Sequence, residues 1–327
     1  MAHKGTAFLK KKREEKKKNT NKWRLLFPLA KKISILLSLL VCFIPLGFAV
    51  IEYHNGPLLK GQINLSVIWY GKIPPQQKYL FLIFIKSLED NPKTIISFEP
   101  QVSKWWKQVE SYQTLAKKES NSKDTPGIKV TVINEVDDQN CSQGENLSKD
   151  SIPLLINKAA PYTVAIIFIA KEVGLEGSCL ASGKCSMHGS LGKQVYIVVK
   201  DQTKDCPEKC GWPFFSSELK KKAEFIINPP NQDKGIDLAI MHAASALAST
   251  VTNPYGNGFY VGNAKEPMEI GRICNNVFGT GAFPGFTGKI HIDSRTAGGF
   301  NAHGLNNTKL LLPGLWNPQG SSCWTIM

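Results

Sequence analysis

A stretch with helical spacing of apolar residues runs from 236 to 251. Only one charged residue, Asp237, interrupts it, and the apolar positions recur three or four residues apart at Ile236, Ile240, Ala243, Ala244, Leu247 and Val251. A helix that is apolar on nearly every side belongs in the interior of a domain. Gly235 and Asp237 mark its start, and Asn253-Pro254 marks its end, because proline disfavours helical geometry in the residue before it. We therefore predict a buried central helix over 236–251.

Strand-like and helix-like patterns alternate along the chain before this helix. The spacing of apolar residues predicts strands over 63–71, 127–136, 163–170 and 194–201, and helices over 74–90, 102–115 and 151–159. Such alternation predicts an α/β fold in which a mixed sheet is flanked by helices. The segment 202–235 is predicted as a loop. The C-terminal third, rich in glycine and aromatic residues, is predicted to be loop-rich and held by disulfides.

The first 51 residues combine a basic segment with an apolar one. Residues 1–32 hold twelve Lys or Arg against two Glu, so most of the net charge of +14 lies there and does not indicate a nucleic-acid-binding surface. Residues 33–51 carry no charge, and Pro45, Gly47 and Ala49 fit a secretory signal peptide over 1–49. The alternative is an uncleaved anchor over 33–51, because a bilayer core needs ~20 apolar residues. Either way, a single domain over 50–327 would face an oxidising compartment, with the membrane contacted only through this segment.

Cysteines and glycosylation sequons agree with secretion. Cys141 is interpreted as an unpaired thiol, and six other cysteines are predicted to form disulfides of undetermined connectivity: Cys179, Cys185, Cys206, Cys210, Cys274 and Cys323. Zinc is the competing interpretation of the four central cysteines, but their spacing does not match the C-x-x-C pairs of structural zinc sites. Glycans are predicted on exposed loops or strand ends at Asn64, Asn140, Asn146 and Asn306.

The central helix also carries a polar stripe, because His242, Ser245 and Ser249 are three and four residues apart. Zinc proteases of the H-E-x-x-H type place two histidines and a glutamate at such positions. Counted from His242, this chain has Ala243 at the glutamate position and Ala246 at the second histidine position, so we predict no catalytic set, no metal and no cofactor. The expected state is a buried histidine and two hydroxyls bonded locally. Loop residues His188 and His303 complete the candidate polar cluster, without a carboxylate placed beside either.

Seven segments resemble the plant Exordium family, also called phosphate-induced proteins. They are YHNGPLLKGQINLSVIWYGKI (53–73), SKWWK (103–107), GSCLASGKCSMHGS (177–190), CPEKCGWPF (206–214), TVTNPYGNGFYVG (250–262), FGTGAFPGF (278–286) and FNAHGLNNTKLLLPGLWNPQGSSC (300–323). The resemblance implies a secreted, non-enzymatic protein of the plant cell wall or apoplast, linked to cell expansion and to growth responses to hormone or carbon status. Its partner would be a cell-wall component or a receptor. Trp212 and Trp316 suit either core packing or stacking on a polysaccharide, and core packing is the expectation.

A remote likeness bears on catalysis. Bacterial sequences similar to the central helix carry His-Glu-x-x-Glu before Thr-Asp-Pro. Alignment on Thr252-Asn253-Pro254 places Ser245, Ala246 and Ser249 at those three positions. The likeness implies a degenerate zinc-metalloprotease-like scaffold. The alternative function for this chain is therefore that of a secreted hydrolase that uses His242, Ser245 or His303.

Overall fold

The computed structural model describes residues 51–89, 98–120, 127–159, 161–177, 185–216 and 225–326. All of them belong to a unit that spans Val50–Met327. The predicted signal peptide over 1–49, nearly all of the alternative anchor over 33–51, and Cys179 lie outside the described residues.

Strands and helices follow one another along this unit. Its strands are β1 (Glu52–Tyr53), β2 (Gln62–Tyr70), β3 (Lys129–Asp138), β4 (Asn146–Leu147), β5 (Val164–Ile169), β6 (Gly174–Leu175), β7 (Ser186–Leu191), β8 (Gln194–Lys200), β9 (Phe259–Tyr260), β10 (His291–Ile292), β11 (Gly299–Phe300), β12 (Ala302–His303), β13 (Lys309–Leu310), β14 (Leu315–Asn317) and β15 (Ser322–Trp324). Its helices are α1 (Pro75–Lys86), α2 (Val102–Ser120), α3 (Ser151–Ala159), α4 (Pro207–Cys210), α5 (Lys234–Thr252) and α6 (Ile270–Ile273), with a 3-10 turn at Leu305–Asn307.

A five-stranded sheet forms the centre of the fold. Its strand order is β3-β2-β5-β8-β7, in which the first four strands are parallel and β7 pairs antiparallel with β8 at the edge. Every residue of β5 is buried, as expected for an inner strand of a parallel sheet covered on both faces. The predicted mixed sheet flanked by helices is confirmed.

Helices cover the sheet on both faces. The crossover from β2 to β3 and the crossover from β3 to β5 run in opposite directions, so right-handed connections place α1 and α2 on one face and α3 on the other. Phe81 of α1 packs on the sheet through Trp69 and Phe168, with ring centroids 5.7 and 5.3 Å away. These three side chains are almost fully buried and lie in the main core.

The predicted central helix is present as α5, two residues longer at its start and one at its end. The Asp233 carboxylate caps it by accepting hydrogen bonds from the backbone N–H groups of Gly235 and Ile236, and Asn253 ends it. Within the described part of the chain, α5 is long and apolar enough to cross a membrane, but 89% of that stretch is buried inside the protein. This burial identifies α5 as the core helix of the domain.

The C-terminal third is loop-rich, as predicted, and consists mainly of two-stranded pairs. The fully buried Asn301 side chain holds these loops together. Its amide donates to the carbonyl oxygens of Phe278 and Leu312, at 2.8 and 2.7 Å, and its carbonyl oxygen accepts from the Leu312 N–H. Buried backbone groups that no regular sheet satisfies thus find a partner in one amide side chain.

Disulfides join segments within the C-terminal third and, separately, within the part of the chain before α5. Cys274 and Cys323 are bonded, and Cys185 is bonded to Cys210, so this second bond joins the two central cysteine pairs of the sequence. Cys206 is also disulfide-bonded. Cys141 is a free thiol, as predicted.

The four glycosylation sequons lie in different surroundings. Asn140, Asn146 and Asn306 are exposed. Asn64 is half-buried in the inner strand β2, and its backbone N–H donates to the Thr163 hydroxyl. Asn64 is therefore less exposed than the other three and lies near the start of a strand.

Candidate functional site

The edge strand β7 was not predicted from the sequence, which indicated a loop around His188. Its residues, SMHGSL, include few β-branched or aromatic side chains, so its propensity for a strand is low. A two-residue turn through Gly192 and Lys193 folds β7 back on β8. Gly192 has a φ of 60°, which suits such a hairpin turn and is costly for other residues. The strand thus exists because of the hairpin with β8.

A cleft opens between β7, α5 and α6. Its volume is about 310 Å³, and a second cavity of about 310 Å³ continues it along β7. We call the two together the β7 cleft, and its main residues are Met187, His188, Ser245, Ser249, Glu269 and Arg272. Four of the five predicted cluster residues line it, namely His188, His242, Ser245 and Ser249.

His303 lies elsewhere, so the predicted cluster of five is only partly correct. Its ring stacks against Phe98 and meets Phe300 edge-on, with centroids 5.4 and 5.0 Å away. Burial lowers its pKa, with a smaller contribution from the charge of Lys309.

The wall of the cleft is held by the one-turn helix α6. A Cβ atom added to Gly271 would lie 2.2 Å from the Ser245 carbonyl oxygen, so α6 rests directly on the backbone of α5. Only glycine permits this close approach without displacing one of the two helices. Gly271 thereby sets the width of the β7 cleft.

A buried carboxylate organises the polar groups of the cleft. The Glu269 side chain is only 4% exposed, and both of its oxygens accept from Nε2 of His188, at 2.8 and 2.9 Å. It also accepts a hydrogen bond from the side-chain Nδ2 of Asn253 at 2.7 Å, and the side-chain Oδ1 of Asn253 accepts one from the backbone N–H of Gly258. These bonds hold the imidazole in one orientation. Sequence reasoning missed Glu269, although the helical spacing of Ile270 and Ile273 after it signals the turn that positions it.

Two buried polar atoms in the cleft have no hydrogen-bond partner. They are Nδ1 of His188, whose other ring nitrogen is engaged by Glu269, and the hydroxyl oxygen of Ser249. Ser249 is only 1% exposed. The expectation that both serine hydroxyls of the helix are bonded locally is therefore wrong at Ser249. Because buried polar atoms are nearly always satisfied by protein or water, these two are candidate contacts for a bound molecule.

His242 is satisfied within the protein, as predicted. Its Nε2 donates to the Cys210 carbonyl oxygen at 2.9 Å, and the Ser186 hydroxyl donates to its backbone carbonyl. Burial lowers the pKa of His242 to about 4, against a smaller opposite effect of the bond to Cys210. The imidazole is thus neutral at the pH of most compartments.

Positive charge lies at the mouth of the cleft. Arg272 is half-buried in the wall, and its guanidinium donates to the Pro267 carbonyl oxygen at 3.4 Å. Lys265 is exposed at the far end. The carboxylate nearest to Arg272 in sequence, Glu269, is already engaged by His188 and Asn253. Within the described residues, no group of three His, Cys, Asp or Glu side chains could hold a metal ion.

Because the Ser249 hydroxyl has no hydrogen-bond partner, we expect its removal to stabilise the protein. We expect Ser249→Ala to raise the free energy of unfolding by about 1–2 kcal/mol, because it removes a buried polar atom that has no bond to lose. Thr250→Val is the matched control. The adjacent, fully buried Thr250 hydroxyl donates to the Ala246 carbonyl oxygen at 2.6 Å, so its loss should lower stability by about 1 kcal/mol. Urea unfolding measures both, and destabilisation by Ser249→Ala would show that the hydroxyl has a partner in the free protein.

Comparisons with known proteins extend over nearly all of the described domain. The family model described as phosphate-induced protein 1 conserved region matches residues 51–326. Protein EXORDIUM of Arabidopsis thaliana is 35% identical over 292 residues, which cover 86% of this chain and 91% of that protein. Protein PHOSPHATE-INDUCED 1 of Nicotiana tabacum is 35% identical over 288 residues, covering 85% and 88%. No solved structure matches, and nothing here supports the expected zinc-metalloprotease-like scaffold. The chain belongs to the phosphate-induced protein 1 family, whose members include the Exordium proteins.

Proposed function

We propose that this protein is a secreted, non-enzymatic binding protein of the Exordium type, which acts in the plant cell wall or apoplast and regulates cell expansion. The observation that carries the binding part is the β7 cleft, in which the buried Nδ1 of His188 and the buried hydroxyl of Ser249 have no partner. The basic and apolar segments before residue 50 and the disulfides support secretion. Membership in the family supports the role in growth.

The side chains of the cleft favour binding over catalysis. Ser245, Ala246 and Ser249 provide neither a general base nor a second metal ligand at the positions of the remote likeness. Glu269 is engaged by His188 and Asn253, so it orients His188 and is not placed to contact a substrate.

The test uses a variant that fills the cleft without entering the core. Ser245 is half-buried and lines the cleft, so Ser245→Phe should occupy the ligand site. Ser294→Phe is the matched control, because Ser294 is exposed and does not line the cleft. Wild type and both variants would be produced from the full chain in plants, with the protein in apoplastic wash identified by intact mass and epidermal cell area measured.

We expect all three proteins in the apoplastic wash with a mass that starts near Val50, and larger cells with wild type and Ser294→Phe but not with Ser245→Phe. If the chain is instead found on membranes with its basic N-terminus intact, the proposal that it is secreted is wrong and the protein is membrane-anchored. Equal cell expansion with Ser245→Phe would show that the cleft is not the functional site.

A further inference from the structure

The open edge of β7 faces the cleft. Five consecutive residues, Ser186 to Ser190, line it. Side chains of a strand point alternately to the two faces of the sheet, so a cavity against one face would contact every second residue. Contact with all five therefore means that the edge of the strand, with its backbone groups, borders the cleft. The sheet ends at β7.

The pairing of β7 with β8 identifies the backbone groups on this edge. Leu191 pairs with Gln194 across the two-residue turn, and such a closing pair exchanges both of its hydrogen bonds. Because the pattern alternates, Gly189 and Met187 also bond to β8. The N–H and C=O groups that point away from β8 belong to Ser186, His188 and Ser190. Within the described ranges of the chain, none of these groups bonds to the backbone of another element.

We propose that the ligand of the β7 cleft is an extended, acidic polypeptide segment, which binds as a sixth strand along Ser186–Ser190. Free backbone groups on an edge strand bind peptides by strand addition. The two unpartnered side-chain atoms, Nδ1 of His188 and the Ser249 hydroxyl, would bond to the same segment. Arg272 in the wall and Lys265 at the end favour an acidic side chain. This inference rests on the proposed function only in placing the ligand in this cleft.

A polysaccharide fits these groups less well. Sugar rings are usually bound on exposed aromatic faces. Trp212 and Trp316 are only 7% and 8% exposed and pack in the core, and among the described residues Tyr255 alone of the Phe, Trp and Tyr side chains lines the cleft. The cleft presents a row of amides with strand spacing, which matches a polypeptide backbone.

The test begins with the secreted full-chain product and a random library of phage-displayed peptides about ten residues long, which is enough to span the six residues of β7. Peptides that bind would be resynthesised with single backbone N-methyl groups at each position. Because a strand uses every second N–H on one edge, we expect affinity to fall about tenfold or more at alternate positions and to stay nearly unchanged between them. A loss without this period of two, or no enriched peptide, would overturn the proposal.

Protein variants provide the reciprocal measurement. Ser190→Pro removes an N–H that points away from β8, so it should weaken peptide binding about tenfold or more while the melting temperature stays within a few degrees. Ser294→Phe, whose changed side chain lies outside the cleft, should bind as wild type does. Arg272→Gln should weaken an acidic peptide more than its neutral analogue. Equal binding to Ser190→Pro, or equal effects of Arg272→Gln on both peptides, would contradict the proposed mode.

Polygalacturonate, an acidic polysaccharide, is the probe for the competing ligand class. We expect no binding that depends on the cleft. If it binds wild type and Ser294→Phe but not Ser245→Phe, the peptide inference is wrong and the proposed binding function stands. If neither probe binds, the strand-addition inference is wrong, and the cell-expansion assay decides separately whether the cleft is functional.

Discussion

Replacement of both Cys274 and Cys323 by alanine is expected to lower the free energy of unfolding by about 4 kcal/mol. The bond closes a loop with a sequence separation of 49 residues, and its loss frees that loop in the unfolded chain. Cys274 is fully buried at the end of α6, and its partner lies in β15. The same bond therefore holds the cleft wall that carries Arg272 against the C-terminal hairpin.

Guanidinium unfolding by linear extrapolation measures this loss, and the slope shows whether the unfolded state has expanded. The double replacement of Cys185 and Cys210 is a matched comparison. Its separation is 25 residues, so the same chain-entropy argument predicts a loss about 0.6 kcal/mol smaller. Cys141→Ala removes a thiol that forms no disulfide and should change stability by less than about 1 kcal/mol. A loss below about 1 kcal/mol for the Cys274 and Cys323 pair would mean that the β14–β15 hairpin packs firmly without its covalent link.

The elements that sequence reasoning identified are those whose local pattern alone determines them. The apolar side chains of α5 and β5 must be buried whatever elements pack against them, so their patterns predict a buried helix and a buried strand without knowledge of those elements. The fold class follows from the order of such elements. The edge strand β7 has no such pattern, because it is held by pairing with β8 and contains polar residues and a glycine.

Only the part of the candidate site that lies on α5 was predictable from the sequence. His242, Ser245 and Ser249 share one helix face, and helical geometry alone brings them together. His188 reaches them because the hairpin places β7 beside α5. Glu269 pairs with a histidine 81 residues away, and no spacing in the sequence indicates that contact. For this reason the carboxylate expected to be absent beside His188 is present.

Two ionisable groups of α5, the buried Asp237 and the half-buried His242, are expected to give opposite pH dependences that cancel in the wild-type protein. Burial raises the pKa of Asp237 to about 7, against the effect of two hydrogen bonds from Asn231, and Asp233 nearby raises it further. Burial lowers the pKa of His242 to about 4. Between pH 4 and 6.5, the folded protein holds a proton on Asp237 that the unfolded chain lacks, and the unfolded chain holds one on His242 that the folded protein lacks.

The sign of each contribution follows. As the pH falls from 6.5 to 4, His242 destabilises the fold and Asp237 stabilises it, each by about 1.4 kcal/mol per pH unit. Asp237→Asn leaves only the histidine, so stability should fall by about 3 kcal/mol over this interval. His242→Gln leaves only the aspartate, so stability should rise by a similar amount. In wild type the two contributions cancel, which leaves the slope that the lowered pKa of His303 adds.

Urea unfolding at several pH values between 4 and 6.5 separates these contributions, with the difference between the two variants as the quantity of interest. Asp137, Asp138 and Asp293 have pKa values lowered below 3.8, so they titrate below this interval. The lowered pKa of His303 adds the same slope to every variant. Parallel curves for Asp237→Asn and His242→Gln would contradict the assignment, because two groups that titrate normally in the folded state leave no opposing slopes. Opposite slopes would show that α5 carries a buried acid and a half-buried base, one of them at the cleft, which together keep the fold stable across acidic pH.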